Sequence, residues 1–172
     1  MTHQSVFRSD LFTGQTALVT GGGSGIGKAI ARELSSLGAR VVIAARGEER
    51  LREAEEELRE GGGEVHAFPC NIRDEDSVKE LFATISERFG GLDFLVNNAG
   101  GQFPSPAGYI RKKGWDAVIE TNLTGTFLCC REAYQQSMQS RGGTPQRTGA
   151  AAAPPLGGPR GWISFSLSCE II

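Results

Sequence analysis

The chain has 172 residues, of which 39% are hydrophobic, enough for one hydrophobic core but too few residues for two full domains. Lys and Arg total 18 against 20 Asp and Glu, so a formal net charge of −2 argues against nucleic acid or an anionic membrane as a partner. The sequence contains neither a long apolar run nor a signal-peptide pattern, so we expect no membrane span and no secretion. Four cysteines without C-x-x-C spacing favour reduced thiols over a zinc site or a disulfide frame.

Two short apolar segments with a helical segment between them predict a β-α-β unit. Thr16–Thr20 and Val41–Ala44 have the apolar, β-branched composition of strands that are buried on both faces. One apolar helix face between them is predicted from residues spaced four, four and three apart, namely Ile26, Ile30, Leu34 and Leu37. Gly38 follows as the expected helix stop.

The same alternation of helix and strand continues toward residue 96. A helix is predicted at Glu48–Glu60, with a strand around Val65–Phe68 after it. A second amphipathic helix is predicted at Asp74–Phe89, and a buried strand at Phe94–Val96. The apolar residues expected to face the core from these two helices are Leu51, Ala54 and Leu58 in the first, and Val78, Leu81, Phe82, Ile85 and Phe89 in the second.

These alternating elements define the expected fold class. Strands joined through helices by right-handed crossovers predict an α/β fold with a doubly wound, parallel Rossmann-type sheet of strand order 3-2-1-4. A long helix is expected from about Trp115 to Ser140. We interpret residues 1–143 as one such domain, truncated relative to a full sheet.

The composition changes after Arg141. The last 31 residues contain four of the seven prolines and six glycines, with no apolar periodicity before Trp162–Phe165. Low complexity of this kind predicts disorder for residues 144–172, because little apolar surface is available to offset the entropy of ordering. Without a strand from this segment, Phe94–Val96 is expected to lie on an open edge of the sheet.

A glycine-rich turn follows the first predicted strand. It reads Thr20-Gly-Gly-Gly-Ser-Gly-Ile-Gly27, directly before the first helix. Glycine lets the backbone approach phosphate oxygens, and the helix N-terminus offers unpaired N–H groups and a positive dipole end. The turn predicts a dinucleotide pyrophosphate site formed by Gly21, Ser24, Gly25, Ile26 and Gly27, with an ordinary tight βα turn as the alternative.

The end of the second strand bears on the choice of nucleotide. An acidic residue there binds the ribose 2′-hydroxyl of NAD, but this sequence has Ala45-Arg46. A guanidinium can bind a 2′-phosphate in a bidentate manner, so the sequence favours NADP(H), with Arg50 assisting one helical turn later. The alternative is that Arg46 is a solvated residue at the start of a helix. Asn97-Asn-Ala-Gly100, at the end of the fourth strand, is predicted to support the cofactor ribose.

The motifs Thr20–Gly27, Asn97–Gly100 and Glu120-Thr-Asn-Leu-Thr-Gly-Thr-Phe127 resemble those of the short-chain dehydrogenases/reductases. Within that family, Asn97–Ala107 and Lys113–Asp116 look like reductases of the peroxisomal trans-2-enoyl-CoA type. The resemblance covers about residues 11–143. It implies NADPH-dependent reduction of an enoyl-CoA substrate, a peroxisomal location and homo-oligomers. The C-terminus lacks a peroxisomal tripeptide, which favours the cytoplasm for the chain as given.

The resemblance also implies roles for individual residues. By it, the pyrophosphate is held by Gly21, Gly25, Ile26 and Gly27, and the 2′-phosphate by Arg46. The adenine is flanked by Asn71 and Ile72, where Asn71 replaces the usual Asp, and the ribose is lined by Asn98, Ala99 and Gly100. Asn122 matches the helix asparagine that holds a water in the proton relay of the family.

One part of the family pattern is absent. The Ser and the Tyr-x-x-x-Lys segment should follow Gly142-Gly143, yet the chain has two tyrosines, Tyr109 and Tyr134, both earlier. Tyr109 has the formal spacing to Lys113, but before Asn122 rather than after it. We therefore expect a catalytically incomplete chain, with two alternatives: an inert NADP-binding fragment from splicing or a frameshift, and a carbonyl/hydroxyl oxidoreductase of the same superfamily.

The remaining candidate residues favour structural roles. His66 lies in a predicted strand, and Cys129 and Cys130 lie in a predicted helix, where all three are expected to pack. The cationic run Arg111–Lys113 could meet the phosphates of coenzyme A, but a solvated charge run is the more ordinary interpretation.

Overall fold

The computed structural model describes residues 5–138, 145–146 and 162–166. The described strands are β1 (Thr16–Thr20), β2 (Arg40–Ala45), β3 (Val65–Pro69), β4 (Phe94–Asn97), β5 (Pro145–Gln146) and β6 (Trp162–Ser166). They pair in parallel in the order β3-β2-β1-β4-β6-β5. The predicted α/β Rossmann-type order 3-2-1-4 is therefore confirmed.

The central strand β1 is buried along its whole length. Leu18 pairs with Val42 of β2 on one side and with Leu95 of β4 on the other. The buried Asp93 carboxylate accepts a hydrogen bond from the Thr16 backbone N–H at 2.9 Å, which fixes the start of β1 beside β4. Because the strands are parallel, their carboxyl ends meet at one edge of the sheet, where ligands bind in open α/β folds.

The described α-helices are α1 (Gly25–Ser36), α2 (Glu48–Glu60), α3 (Glu75–Phe89), α4 (Lys112–Ile119) and α5 (Thr126–Ala133). The predicted bounds of α2 are confirmed, and its predicted core residues are buried. The α3 helix begins one residue later than predicted, because Asp74 is its N-cap and accepts from Asp76 N–H and Ser77 N–H at 3.0 and 3.2 Å. Gly90 ends α3 at φ 74°, the left-handed conformation that favours glycine.

The predicted helix Trp115–Ser140 is interrupted. It begins earlier, at Lys112, and two π-helical segments, Glu120–Gly125 and Tyr134–Met138, flank α5. At the first of these segments the Thr121 hydroxyl donates back to the Ala117 carbonyl at 2.8 Å, which accompanies the widened turn. Residues 139–140 of the predicted helix lie outside the described part of the chain. No helix among the described residues is long and apolar enough to span a membrane.

The prediction that Ile26 faces the core is wrong, since it is 66% exposed. The first turn of α1 stands above the end of the sheet rather than against its face, so the small residues Gly27 and Ala31 make the close approach instead. Ile30 and Leu34 pack on the core from partly buried positions. The 3.6-residue period therefore identified the apolar face of α1, but not that its first residue would stay exposed while the later ones pack on the core.

The predicted open edge at β4 is also wrong. The β6 strand pairs in parallel with β4, in a register that places Leu95 beside Ser164 and Val96 beside Phe165. The aromatic and β-branched composition of β6 suits a strand. Predicted disorder for residues 144–172 is thus wrong for β5 and β6, and the rest of that segment lies outside the described residues.

His66 packs at the β3 edge of the sheet, as predicted for a structural histidine. Its ring lies 4.7 Å, centroid to centroid, from the Phe89 ring. The Phe89 ring in turn lies 5.1 Å from the Arg40 guanidinium and 5.4 Å from that of Arg88. His66 is thus surrounded by an aromatic ring and cations, an environment that disfavours a second positive charge.

The two ring nitrogens of His66 have different neighbours. Arg59 Nη2 lies 3.3 Å from Nδ1, and because a guanidinium only donates, we assign Nδ1 as the acceptor and place the neutral proton on Nε2. Nε2 lies 3.6 Å from Glu64 Oε1, too far for a hydrogen bond. Burial lowers the pKa of His66, with further lowering by Arg59 and Arg88, against an opposing effect of Glu64.

This lowered pKa predicts acid sensitivity in a defined window. The unfolded chain binds a proton near pH 6.5 while the folded chain still resists it, so stability is complete above that pH and falls on acidification below it. We expect the melting temperature to fall between about pH 7 and 5.5, before the carboxylates titrate. Melts of the His66→Gln variant, which has no titrating ring, should show a flatter dependence there. An equally steep dependence in both proteins would contradict the assignment.

Candidate functional site

A cleft of about 400 Å³ opens at the carboxyl ends of β1, β2, β3 and β4. Its walls include eleven of the twelve residues predicted for the cofactor: Gly21, Ser24, Gly25, Ile26, Gly27, Arg46, Asn71, Ile72, Asn98, Ala99 and Gly100. The twelfth, Arg50, lines an adjoining cleft of about 740 Å³ together with Arg46, Gly21 and Ser24. The structure thus brings together residues from four separate sequence segments.

The glycine-rich turn is shaped by close approaches that a side chain would prevent. A Cβ atom on Gly22 would lie 2.6 Å from Ile43 Cγ2, and one on Gly27 would lie 2.4 Å from the Gly21 carbonyl oxygen. Gly21 and Gly25 have φ values of 70° and 54°, in the left-handed region. A Cβ atom on Gly25 would have no other atom within 4 Å, so the backbone of Gly25 is open to an approaching ligand.

The N-terminus of α1 stands at this open position. Ser24 is the N-cap, and its hydroxyl makes no capping hydrogen bond, so the first backbone N–H groups of α1 are left for another partner. The first turn of α1 carries no acidic residue that would repel an anion. The aligned N–H groups, the helix dipole and the open Gly25 backbone together make this turn suitable for a phosphate group.

Thr20 joins the turn after β1 to the loop after β4, a role that sequence reasoning missed. Its hydroxyl donates to the Val96 carbonyl at 3.3 Å and accepts from the Asn98 and Ala99 N–H groups at 3.1 and 3.0 Å. The Asn98 side-chain nitrogen donates to the Thr20 carbonyl at 3.0 Å. Asn98 therefore holds the glycine turn with its amide while lining the cleft. Because β1 and β4 are far apart in sequence, no local pattern could have revealed this contact.

The far end of the cleft has unpaired cations. Arg46 and Arg50 are exposed, and neither makes an ion pair with another described residue. Glu48 and Glu49 lie in the same adjoining cleft, so the local charge is mixed. Two free guanidiniums beside the end of β2 are placed to meet an anionic group on a bound nucleotide.

The loop after β3 forms another wall of the cleft. The Asn71 Oδ1 accepts from the Arg73 N–H at 3.3 Å, and the Asn71 N–H donates to the Ser77 hydroxyl at 3.2 Å. Ile72 is 8% exposed and lies under the π-helical segment, where a Cβ on Gly125 would lie 2.8 Å from its Cδ1. Arg73 also lines the cleft and pairs with Glu120, which the sequence did not indicate.

Asn122 lies in the first π-helical segment and not among the residues lining the cleft. Its Oδ1 accepts from the Gly101 N–H at 2.8 Å, and its Nδ2 donates to the Gly101 carbonyl at 3.1 Å. Both ends of the amide are therefore used to hold the loop that follows β4. The water-holding role implied by resemblance stays a prediction, while the observed role of this side chain is to position that loop.

No tyrosine lines the cleft in the part of the chain that the structure describes. Tyr109 is 79% exposed, in a 3-10 turn at Ala107–Tyr109, and Lys113 lies in the first turn of α4. Cys129 is fully buried in the core, and burial raises the pKa of its thiol, as expected for a packing residue. The described residues also contain no group of His, Cys, Asp and Glu suited to a metal ion.

The parallel sheet with an open glycine turn, a helix N-terminus and unpaired arginines defines a dinucleotide-binding domain of the Rossmann type. Sequence comparison agrees with this class. The sequence model of the short chain dehydrogenase family matches residues 15–144, and the chain belongs to that family.

Several known proteins are similar to this chain. A Bacillus subtilis protein described as a probable 2,4-dienoyl-CoA reductase is 38% identical over 119 residues, 69% of this chain and 47% of its own length. The structure of a citronellol catabolism dehydrogenase from Pseudomonas aeruginosa superposes with a TM-score of 0.78 at 48% identity, over 84% of this chain and 59% of that one. The structure of an actinorhodin polyketide ketoreductase solved with NADPH superposes with a TM-score of 0.73 at 42% identity, over 77% of this chain and 51% of that one. The chain spans about half the length of the curated relatives it matches.

Proposed function

We propose that the chain is the nucleotide-binding part of a short-chain reductase that uses NADP(H). The observation that carries the proposal is that the glycine turn and Arg46 line both of the adjoining clefts, with Arg50 in the second. Neither arginine has an acidic partner among the described residues. The similar ketoreductase solved with NADPH supports the same nucleotide. When bound, NADPH supplies a hydride to the substrate.

The residues of the cleft fit this cofactor along its length. The backbone at Gly25 and the first turn of α1 receive the pyrophosphate, because no side chain obstructs them. Arg46 meets the 2′-phosphate, with Arg50 beside it, and the residue directly after β2 is this arginine rather than a carboxylate that would select the 2′-hydroxyl of NAD. Asn71 and Ile72 flank the adenine, and Ala99 and Gly100 line the ribose. Thr20 and Asn98 keep the two loops at a fixed separation.

For the substrate, we propose a trans-2-enoyl-CoA, reduced to the acyl-CoA. Support comes from the loop motifs Asn97–Ala107 and Lys113–Asp116, and from the similarity to a protein described as a probable 2,4-dienoyl-CoA reductase. A keto group is the second candidate, since the structurally similar polyketide ketoreductase is named for one. The two candidates share the cofactor cleft.

The cofactor proposal is tested by calorimetry on the 172-residue chain. We expect NADPH to bind about tenfold or more tightly than NADH, since the 2′-phosphate adds a charge-assisted contact. Adenosine 2′,5′-bisphosphate, which keeps the 2′-phosphate but lacks nicotinamide, should compete with NADPH. Equal affinities for the two dinucleotides would refute the assignment of Arg46.

A further inference from the structure

An ion pair ties the loop after β3 to the first π-helical segment. Arg73 Nη2 donates to Glu120 Oε2, across 47 positions of the sequence. Among the described residues, Arg73 pairs with no other carboxylate. Arg73 lines the cofactor cleft, and so does Thr121, the residue that follows Glu120. The pair therefore joins two walls of the cleft that are far apart in the sequence.

A backbone contact extends this tie to the side chain of Asn71. The Arg73 N–H donates to Asn71 Oδ1 at 3.3 Å. The Asn71 side chain is thus held by the same residue whose guanidinium is held by Glu120. Because Asn71 lines the cleft, a shift of Arg73 would move a group that a bound nucleotide contacts.

Close packing connects the same two segments at Ile72. A Cβ atom on Gly125 would lie 2.8 Å from Ile72 Cδ1 and 3.1 Å from the Ile72 carbonyl oxygen. The π-helical segment therefore contacts the loop after β3 from both of its ends, at Glu120 and at Gly125. Such segments within helices are frequent at functional sites.

We propose that Glu120 is a positioning residue for the adenine end of the cofactor and acts through Arg73. Its carboxylate holds Arg73 so that Asn71 and Ile72 keep the separation from the facing wall that an adenine ring needs. The inference rests on the proposed function, which places the adenine beside these two residues. Glu120 itself lines neither cleft, so it acts on the nucleotide without touching it.

The sign of its charge separates this role from two simpler ones. The cofactor is anionic, so a carboxylate that acted only through its electric field would weaken binding, and its removal would strengthen binding. If Arg73 bound the nucleotide directly, loss of Glu120 would free the guanidinium and again strengthen binding. Of the three roles, only the positioning role predicts weaker binding when this negative charge is removed.

The test measures dissociation constants for NADPH and NADH by calorimetry, on the 172-residue chain and on its Glu120→Gln variant. Glutamine keeps the size of the side chain and removes its charge. We expect both dissociation constants to rise about threefold or more, by the same factor, because the two dinucleotides share the adenine. The side chains of Arg73 and Glu120 are 36% and 50% exposed, which keeps the expected effect modest.

Variants of Arg73 complete the comparison. Arg73→Met keeps the apolar stem but loses the charge, and should weaken both dinucleotides about as much as Glu120→Gln does. The double variant Arg73→Met, Glu120→Gln should bind no more weakly than either single variant, since both changes remove one contact. Arg73→Lys should retain most of the affinity, because a lysine ammonium can still pair with Glu120.

Glu64→Gln is the matched control. Glu64 pairs with Arg40, and the two side chains are similarly exposed, at 55% and 33%. This pair lies at the start of β3, at the opposite end of the strand from the cleft, and lines neither cleft. The control should leave both dissociation constants unchanged. Melting curves of each variant show that binding is measured on folded protein.

An unchanged or lower dissociation constant for folded Glu120→Gln overturns the inference and leaves the proposed cofactor in place. An equal loss of affinity in Glu64→Gln overturns it as well, since any lost ion pair would then have the same effect. If Glu120→Gln does not fold, Arg73→Met decides: a loss that Arg73→Lys avoids supports the inference, and an unchanged affinity refutes it. Binding of neither dinucleotide to the unmodified chain is a separate result, which overturns the proposed function and the inference with it.

Discussion

Replacing Arg46 by Asp is expected to weaken NADPH binding by more than about 1.5 kcal/mol, a rise of more than about tenfold in Kd. The guanidinium of Arg46 stands at the end of β2, free of any acidic partner in the described residues, where a 2′-phosphate would lie. An aspartate there repels that phosphate and accepts from a 2′-hydroxyl instead. NADH binding should therefore change little or improve, and calorimetry with both dinucleotides at one salt concentration measures the difference.

A matched control separates a local contact from a change in net charge. Arg52→Asp alters the charge by the same amount from an exposed position of α2 that lines neither cleft. Since exposed charges beyond about 10 Å are largely screened at ordinary salt, it should affect NADPH far less than Arg46→Asp does. The assignment fails if both variants weaken NADPH equally, or if Arg46→Asp weakens NADH to the same extent.

Where local pattern and packing agree, the sequence predicted the fold closely. The charged helix α2 was predicted with its correct bounds because its three buried residues recur on one face and glycines follow it. Asp74, the first residue of the predicted helix, is the N-cap of α3 because its carboxylate reaches two N–H groups within the first turn. Such features depend on residues within one or two helical turns, so a single sequence is enough to indicate them.

The failures have a common origin in contacts between distant segments. Ile26 fits the helical stripe, but its exposure depends on where α1 lies above the sheet end. The Thr20 hydroxyl serves the loop after β4, more than seventy residues away. The pairing of β6 with β4 likewise depends on a strand separated from the regular domain by a segment rich in proline and glycine. Sequence spacing carries no signal for any of these contacts.

The sequence predicted which residues line the candidate site, but not the hydrogen-bond partners of their side chains. Of the eleven predicted residues that line the cleft, those of the glycine turn and Arg46 were indicated by residue types at strand ends, whereas Asn71 and Ile72 were implied by the family resemblance alone. The structure shows which groups these side chains bind, most clearly for Asn98 and Asn122, whose side-chain amides hydrogen-bond to backbone groups of neighbouring loops. A residue type at a strand end indicates a site, but its bonding partner is set by the tertiary fold.

Incubation of the 172-residue chain with NADPH and a trans-2-enoyl-CoA is expected to give no turnover. Reduction of the double bond needs a donor at the thioester oxygen and a proton at C2. Tyr109 does not line the cleft, Tyr134 has no lysine four residues on, and both atoms of the Asn122 amide are occupied by Gly101. The expected loss relative to a complete reductase is at least the roughly 10²–10⁴-fold of one acid–base residue.

The measurement is the fall in NADPH absorbance. It is made on protein already shown by calorimetry to bind NADPH, so that an unchanged absorbance indicates a missing catalytic group and not a failure to bind the cofactor. A ketoacyl-CoA assayed in parallel covers the second substrate class and is expected to be equally inert. Substrate-dependent oxidation at about 1 s⁻¹ or faster, ordinary for an enzyme, would contradict the expectation. Tyr109→Phe and Lys113→Met would then decide whether the Tyr-x-x-x-Lys pair at the start of α4 supplies the proton. Abolished turnover in both variants would assign the catalytic group to this pair, and unchanged turnover would place it elsewhere in the chain.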